Sequence, residues 1–161
     1  MQLEQKLKKF LKNSDKLVIL GIGNELRGDD FIGSLLARRF SKLFKDSNNI
    51  MVFDGGTVPE NYTGAIKKEN PTEIILIDAA DMGKEAGYIK IIDRTEIASY
   101  HLSTHAMPLS FLVKYLEHST KAKIILIGIQ PKELELVGNI SIEIKKSMEY
   151  LVDIFLKILN K

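Results

Sequence analysis

The sequence predicts an α/β fold with a mainly parallel sheet of about five strands and helices between them. Three observations carry this. Nearly continuous runs of Ile, Leu and Val recur at 17–22, 73–77 and 123–127, as strands read when both faces of a sheet are covered. Between the runs apolar residues fall at helical spacing, as in Phe31, Leu35, Leu36, Phe40, Leu43 and Phe44. Turn residues mark the changes of period: Gly21, Gly23 and Asn24 early, then Asp54, Gly55 and Gly56, and finally Gly128 and Pro131.

In chain order, residues 3–13 predict an amphipathic helix with Leu3, Leu7, Phe10 and Leu11 on one face and Lys8, Lys9 and Lys12 in water. Asn13, Ser14 and Asp15 end it. A strand follows at Leu17–Ile22, a helix from Asp30 to about Lys45, and a strand at Ile50–Phe53. Tyr62, Ala65 and Ile66 suggest a short helix within Pro59–Asn70. The strand Glu73–Ile77 runs into Asp78, and Gly83–Gly87 turns the chain into a strand at Tyr88–Ile92. Arg94–Ser103 reads mostly as loop. Pro108 suits the first turn of a helix whose buried face is Leu109, Leu112, Val113 and Leu116. Lys123–Ile127 is the last strand and Ile140–Leu159 a long closing helix. Without repeats, low-complexity tracts or linkers, residues 1–161 read as a single domain.

The composition limits function. With 45% apolar and 27% charged residues, the chain is of the soluble globular type. No apolar run approaches the roughly 18 residues of a membrane span, and the Lys-rich N-terminus lacks the apolar core of a signal peptide. The expected location is the cytoplasm, with no membrane insertion. A net charge of +2, from 23 basic and 21 acidic residues, argues against a nucleic-acid partner. The absence of cysteine excludes disulfides, thiolate catalysis and Cys-based zinc, so any metal must be held by His and carboxylates.

In parallel α/β sheets ligands bind beyond the carboxyl ends of the strands. That rule selects Asn24, Asp29 and Asp30 after the first strand, Asp54 after the second, Asp78 and Asp81 after the third, and His105 ahead of the helix at Pro108. Two carboxylates and an imidazole at one edge suit a metal and equally suit acid–base chemistry. Each also has a plainer role. Asp29 or Asp30 can cap the following helix, with Asp29 the better placed to do so. His105 can be an ordinary hydrogen-bonded histidine, and His118 sits where a helix dipole favours a cation. Asp78 would be costly to bury uncompensated, which favours function there.

Two motifs fail. Gly21-Ile22-Gly23 resembles the start of a dinucleotide fingerprint, but Leu26 stands where the third glycine belongs, and Asp29 and Asp30 would face a pyrophosphate. His101 and His105 have zinc-peptidase spacing, but Leu102 replaces the required glutamate.

The stretches GIGNELRGDDFIG, DGGTVPE, ILIDAADMG, STHAMPL and IGIQPKELE, in this order, resemble the hydrogenase maturation endopeptidases, most closely the hydrogenase-3 (formate hydrogenlyase) type. The resemblance spans the chain from the first strand to the last helix. It implies a three-layer α/β/α fold with a twisted sheet and helices on both faces. It also implies a metal-dependent, aspartic-type endopeptidase acting as a monomer. Such an enzyme removes the C-terminal extension of a nickel–iron hydrogenase large-subunit precursor after nickel insertion. Asp30, Asp78 and His105 match the family's metal-contacting, catalytic positions. The expected metal is nickel supplied by the substrate, with another divalent cation as the alternative. The scissile peptide would lie beside a water activated by metal or carboxylate, with Asp29 and Asp81 as candidate bases. Gly23 and Asn24 match the family's turn, and Asp54, Gly55 and Gly56 a segment that positions the substrate loop. The competing readings are a nucleotide-binding Rossmann-like module, a metal-dependent hydrolase of another small substrate, and a partner-binding domain using the first helix.

Overall fold

Alternation along the strands explains the layers. The structure, a computed structural model, describes residues 2–102, 107–132 and 139–159. Its strands are β1 (Leu17–Ile22), β2 (Ile50–Gly56), β3 (Glu73–Asp81), β4 (Ile89–Asp93), the two-residue β5 (His101–Leu102) and β6 (Lys123–Ile129). The sheet runs in the order β2-β1-β3-β6-β4, with β5 paired to the end of β3. The β1–β2, β1–β3 and β3–β6 pairs are parallel, and β4 lies antiparallel to β6 at one edge. The helices are α1 (Leu3–Leu11), α2 (Ile32–Leu43), α3 (Thr63–Glu69), α4 (Leu109–Thr120) and α5 (Ile142–Leu159).

Residues Leu17, Ile19, Ile75, Ile77, Ile125 and Ile127 point to one face, where they meet Leu7 of α1, Phe40 of α2 and Phe155 of α5. Their neighbours Val18, Leu20, Ile74, Leu76, Ile124 and Leu126 point to the other, against Ile66 of α3 and Leu112 and Leu116 of α4. A strand covered on both faces has no wet side, which is why β1, β3 and β6 read as unbroken apolar runs while the edge strands β2 and β4 do not. Phe40 and Phe155 stack with centroids 4.6 Å apart and join α2 to α5, a geometry worth more than the area it buries. The first helix packs its Leu7 and Leu11 into the core beside β4.

The boundaries differ from the expected ones where pairing outlasts the pattern. β3 does not end at Ile77; it carries Asp78 inside the strand and continues to Asp81, because Asp78 and Ala79 pair with Gly128 and Ile129 and Ala80 with Leu102. β2 likewise runs through Asp54 to Gly56, with a register shift opposite Gly21 and Ile22. Residues 28–31 form a 3-10 turn, so α2 starts at Ile32 rather than Asp30. The stretch read as loop after Arg94 holds a 3-10 turn at Ile97–Ser99 and β5. Among the described residues no helix is long and apolar enough to cross a membrane.

The last helix is tied to the turn ahead of β4. Ser147 Oγ donates to Gly87 O at 2.6 Å, and Gly87 has φ +91°, a conformation costly for other residues. Ser147→Ala is expected to lower stability by about 1 kcal/mol, measured by urea unfolding with an unchanged m-value.

Candidate active site

The chain leaves β1 through α2 to reach β2 on one side, and returns through α3 to β3 on the other. The carboxyl ends of β1 and β3 therefore flank the point where the winding reverses, the usual place for a ligand crevice. Glycines bring the start of α2 down onto that point. A Cβ on Gly33 would stand 2.1 Å from Ile22 O and 2.3 Å from Ile77 O. One on Gly21 would stand 2.1 Å from Gly33 O, and one on Gly23 2.5 Å from Asp30 O. These are backbone-to-backbone approaches that no side chain survives. Because Ile77 precedes Asp78 and Asp30 lies one turn before Gly33, the contact sets the turn that carries Asp30 beside the strand that carries Asp78.

The loop between β1 and the 3-10 turn is closed by its own backbone. Asn24 N–H donates to Asp30 O, Arg27 N–H to Asn24 O and Asp30 N–H to Arg27 O, each at 3.1 Å. The Asn24 side chain accepts from Leu26 N–H at 2.9 Å, so it shapes the loop. Asp30 and Asp78 retain 2% and 0% of their surface. Two carboxylates withdrawn from water are oxygen donors suited to a hard or borderline cation. His105, the third expected member, lies outside the described residues. Of its flanks, Leu102 pairs with Ala80 on the strand that carries Asp78, and Leu109 is buried on α4. Among the described residues no three His, Asp or Glu side chains form a metal-holding group.

The expectation that Asp29 caps its own helix is wrong. Neither the 3-10 turn nor α2 has a side-chain cap. Asp29, wholly buried, instead accepts from Lys132 N–H at 2.8 Å, Ser141 N–H at 2.7 Å and Ser141 Oγ at 3.0 Å. It joins residues far along the chain, a role that no local pattern displays. Asp81 accepts from Gly83 N–H and from Gln130 Nε2, both at 3.2 Å. Gln130 was not singled out from the sequence, although it lies in the IGIQPKELE stretch. It is buried, and its Oε1 accepts from Met82 N–H at 2.6 Å and Lys84 N–H at 3.3 Å. Both acids considered as bases are thus engaged in holding loops.

Asp54 holds the second loop of the edge. Its Oδ2 accepts from Arg38 Nε at 2.8 Å and its Oδ1 from Gly56 N–H at 3.2 Å, and the first of these bonds raises the Arg38 pKa. Gly23 N–H donates to Gly56 O at 3.0 Å, joining the two loops. Between them lies a cleft of about 360 Å³ lined by Gly23, Asn24, Leu26, Asp54, Val58 and Tyr62. Leu26 and Val58 stand exposed there.

The sequence model described as hydrogenase maturation protease matches residues 34–158. The chain belongs to the hydrogenase maturation proteases. The hydrogenase 3 maturation protease of Escherichia coli K12 is 42% identical to it over 115 residues, 71% of this chain and 72% of that one. A Methanocaldococcus jannaschii protein, provisionally named a hydrogenase maturation protease, is 42% identical over 157 residues, 94% of this chain and 92% of its own length. The crystal structure of the nickel–iron hydrogenase maturation protease HycI from Thermococcus kodakarensis superimposes with a TM-score of 0.89 at 33% identity, covering 97% of this chain and 99% of that one. In this maturation protease the glycine turn serves helix-on-strand packing. The space above Gly23 is taken by the backbone of Asp30 and Phe31, where a dinucleotide fold would seat a pyrophosphate.

Proposed function

We propose that this peptidase removes the C-terminal extension of a nickel–iron hydrogenase large-subunit precursor after nickel insertion, reading the inserted metal through Asp30, Asp78 and His105. It acts as a monomer in the cytoplasm. The observation that supports this most is the burial of Asp30 and Asp78, 2% and 0% exposed, on a turn and a strand brought together by close glycine contacts. Oxygen ligands from Asp and a nitrogen from His suit nickel in the absence of thiols. Nickel is here part of the substrate: a precursor that lacks it offers the site nothing to grip.

Peptide hydrolysis adds water oxygen to the carbonyl carbon, breaks the C–N bond and returns a proton to the leaving amine. Docking the metal at this site sets the scissile bond beside two carboxylates, and such positioning supplies much of the rate. The cleft beside Leu26 and Val58 gives an extended segment a place to lie. The test is processing of purified precursor with and without nickel. The nickel-loaded form is expected to be cut at least about a hundredfold faster, about 2.7 kcal/mol of transition-state stabilisation. Equal rates for the two forms would overturn the recognition.

A further inference from the structure

We propose that Asp29 is a positioning residue: it clasps both ends of the connection between β6 and α5 to the turn that carries Asp30, and thereby sets Asp30 for catalysis. This rests on the function proposed above. Lys132 closely follows β6 and Ser141 immediately precedes α5. Both backbone N–H groups end on one wholly buried carboxylate, at 2.8 and 2.7 Å, and the Ser141 hydroxyl adds a third bond at 3.0 Å. Lys132 Nζ and Glu143 close the same connection at 3.1 Å.

Asp30 is the next residue along the 3-10 turn, and its own backbone is bonded to Asn24 and Arg27. The turn is therefore held by two sets of bonds, those of the Asn24 loop and those of the Asp29 carboxylate. Rolling it, which would swing the Asp30 side chain, breaks one set or the other. The clasp needs a carboxylate. The three bonds described all come from donors, and an asparagine would turn its NH₂ toward at least one of them. A cap would have served the turn locally. This acid instead fastens the catalytic turn to segments 103 and 112 positions away.

The test compares wild type with Asp29→Asn and Lys132→Pro, the second removing one N–H donor and leaving Asp29 intact. Single-turnover cleavage of nickel-loaded precursor is measured at saturating enzyme, with precursor binding measured separately. Folded fraction is taken from unfolding curves, so a loss of stability is not counted as a loss of rate. Both variants are expected to cleave at least tenfold more slowly, with precursor affinity within threefold and the shape of the pH–rate profile unchanged. Amide hydrogen exchange of residues 24–31, measured without substrate, is expected to quicken at least tenfold in both. Wild-type rates in a folded Asp29→Asn would overturn the proposal. So would a slow Asp29→Asn beside a fully active Lys132→Pro, since Asp29 would then act on the substrate directly. Unchanged exchange at 24–31 would overturn it even if wild type cleaved nothing, and that last result would count against the function alone.

Discussion

Asp78→Asn is expected to reduce precursor processing at least about a hundredfold while the protein stays folded. Asp78 lies within β3 with none of its surface exposed and pairs with Gly128 of β6. Its neighbours Ile77 and Ala79 face the core on the α2 side and hold the strand in place. Asparagine has nearly the same volume, so the strand has no packing reason to move. What changes is chemical: one negative charge and one metal-seeking oxygen are lost. The expected pattern is therefore lost activity with a retained, cooperative thermal transition. Processing by Asp78→Asn at the wild-type rate would remove this residue from the site.

Gly33→Ala is expected to destabilise the protein by more than about 3 kcal/mol and to abolish processing with it. The sign distinguishes this position from an ordinary helical glycine. In an exposed helix interior, Gly to Ala stabilises by roughly 0.5–1 kcal/mol. At Gly33 the new methyl would stand 2.1 and 2.3 Å from the carbonyl oxygens of Ile22 and Ile77. Those oxygens belong to the central strands β1 and β3, whose ladders hold them on both sides. The helix must lift instead, and Asp30 moves with its first turn. A displacement of about 1 Å is enough to cost two orders of magnitude in rate. Gly64 in α3 is the internal control, because nothing lies within 4 Å of its Cβ position; Gly64→Ala should be neutral or mildly stabilising. Urea unfolding of both variants checks the pair. A Gly33→Ala protein as stable as wild type would mean that α2 does not rest on the two strands as described.

Much of this was legible in the chain itself. The central strands announced themselves because a strand covered on both faces has nothing polar to show, and α2, α4 and α5 because each buries one stripe. The edge strands were less distinct, as Met51 on β2 illustrates by facing water. Asp30 and Asp78 could be suspected because a parallel sheet gathers its strand ends, and the ordered motifs named a family that the relatives bear out. The role of the glycines was not legible. Read locally, Gly21 and Gly23 suggest room for a phosphate. Folded, Gly21 makes room for the backbone of Gly33, Gly23 for that of Asp30 and Phe31, and Gly33 for that of Ile22 and Ile77.

Asp29 marks the boundary most clearly. By itself the sequence determined the type and order of the elements, since a period of two or of 3.6 is set by residues close along the chain. It also determined which acids arrive at the sheet's carboxyl edge. Only the tertiary structure decided that Asp29 holds Lys132 and Ser141 rather than a helix end, and that β3 carries Asp78 within it. Bonds across 103 and 112 positions leave no periodic trace, because their partners become neighbours only when the sheet and its covering helices have packed.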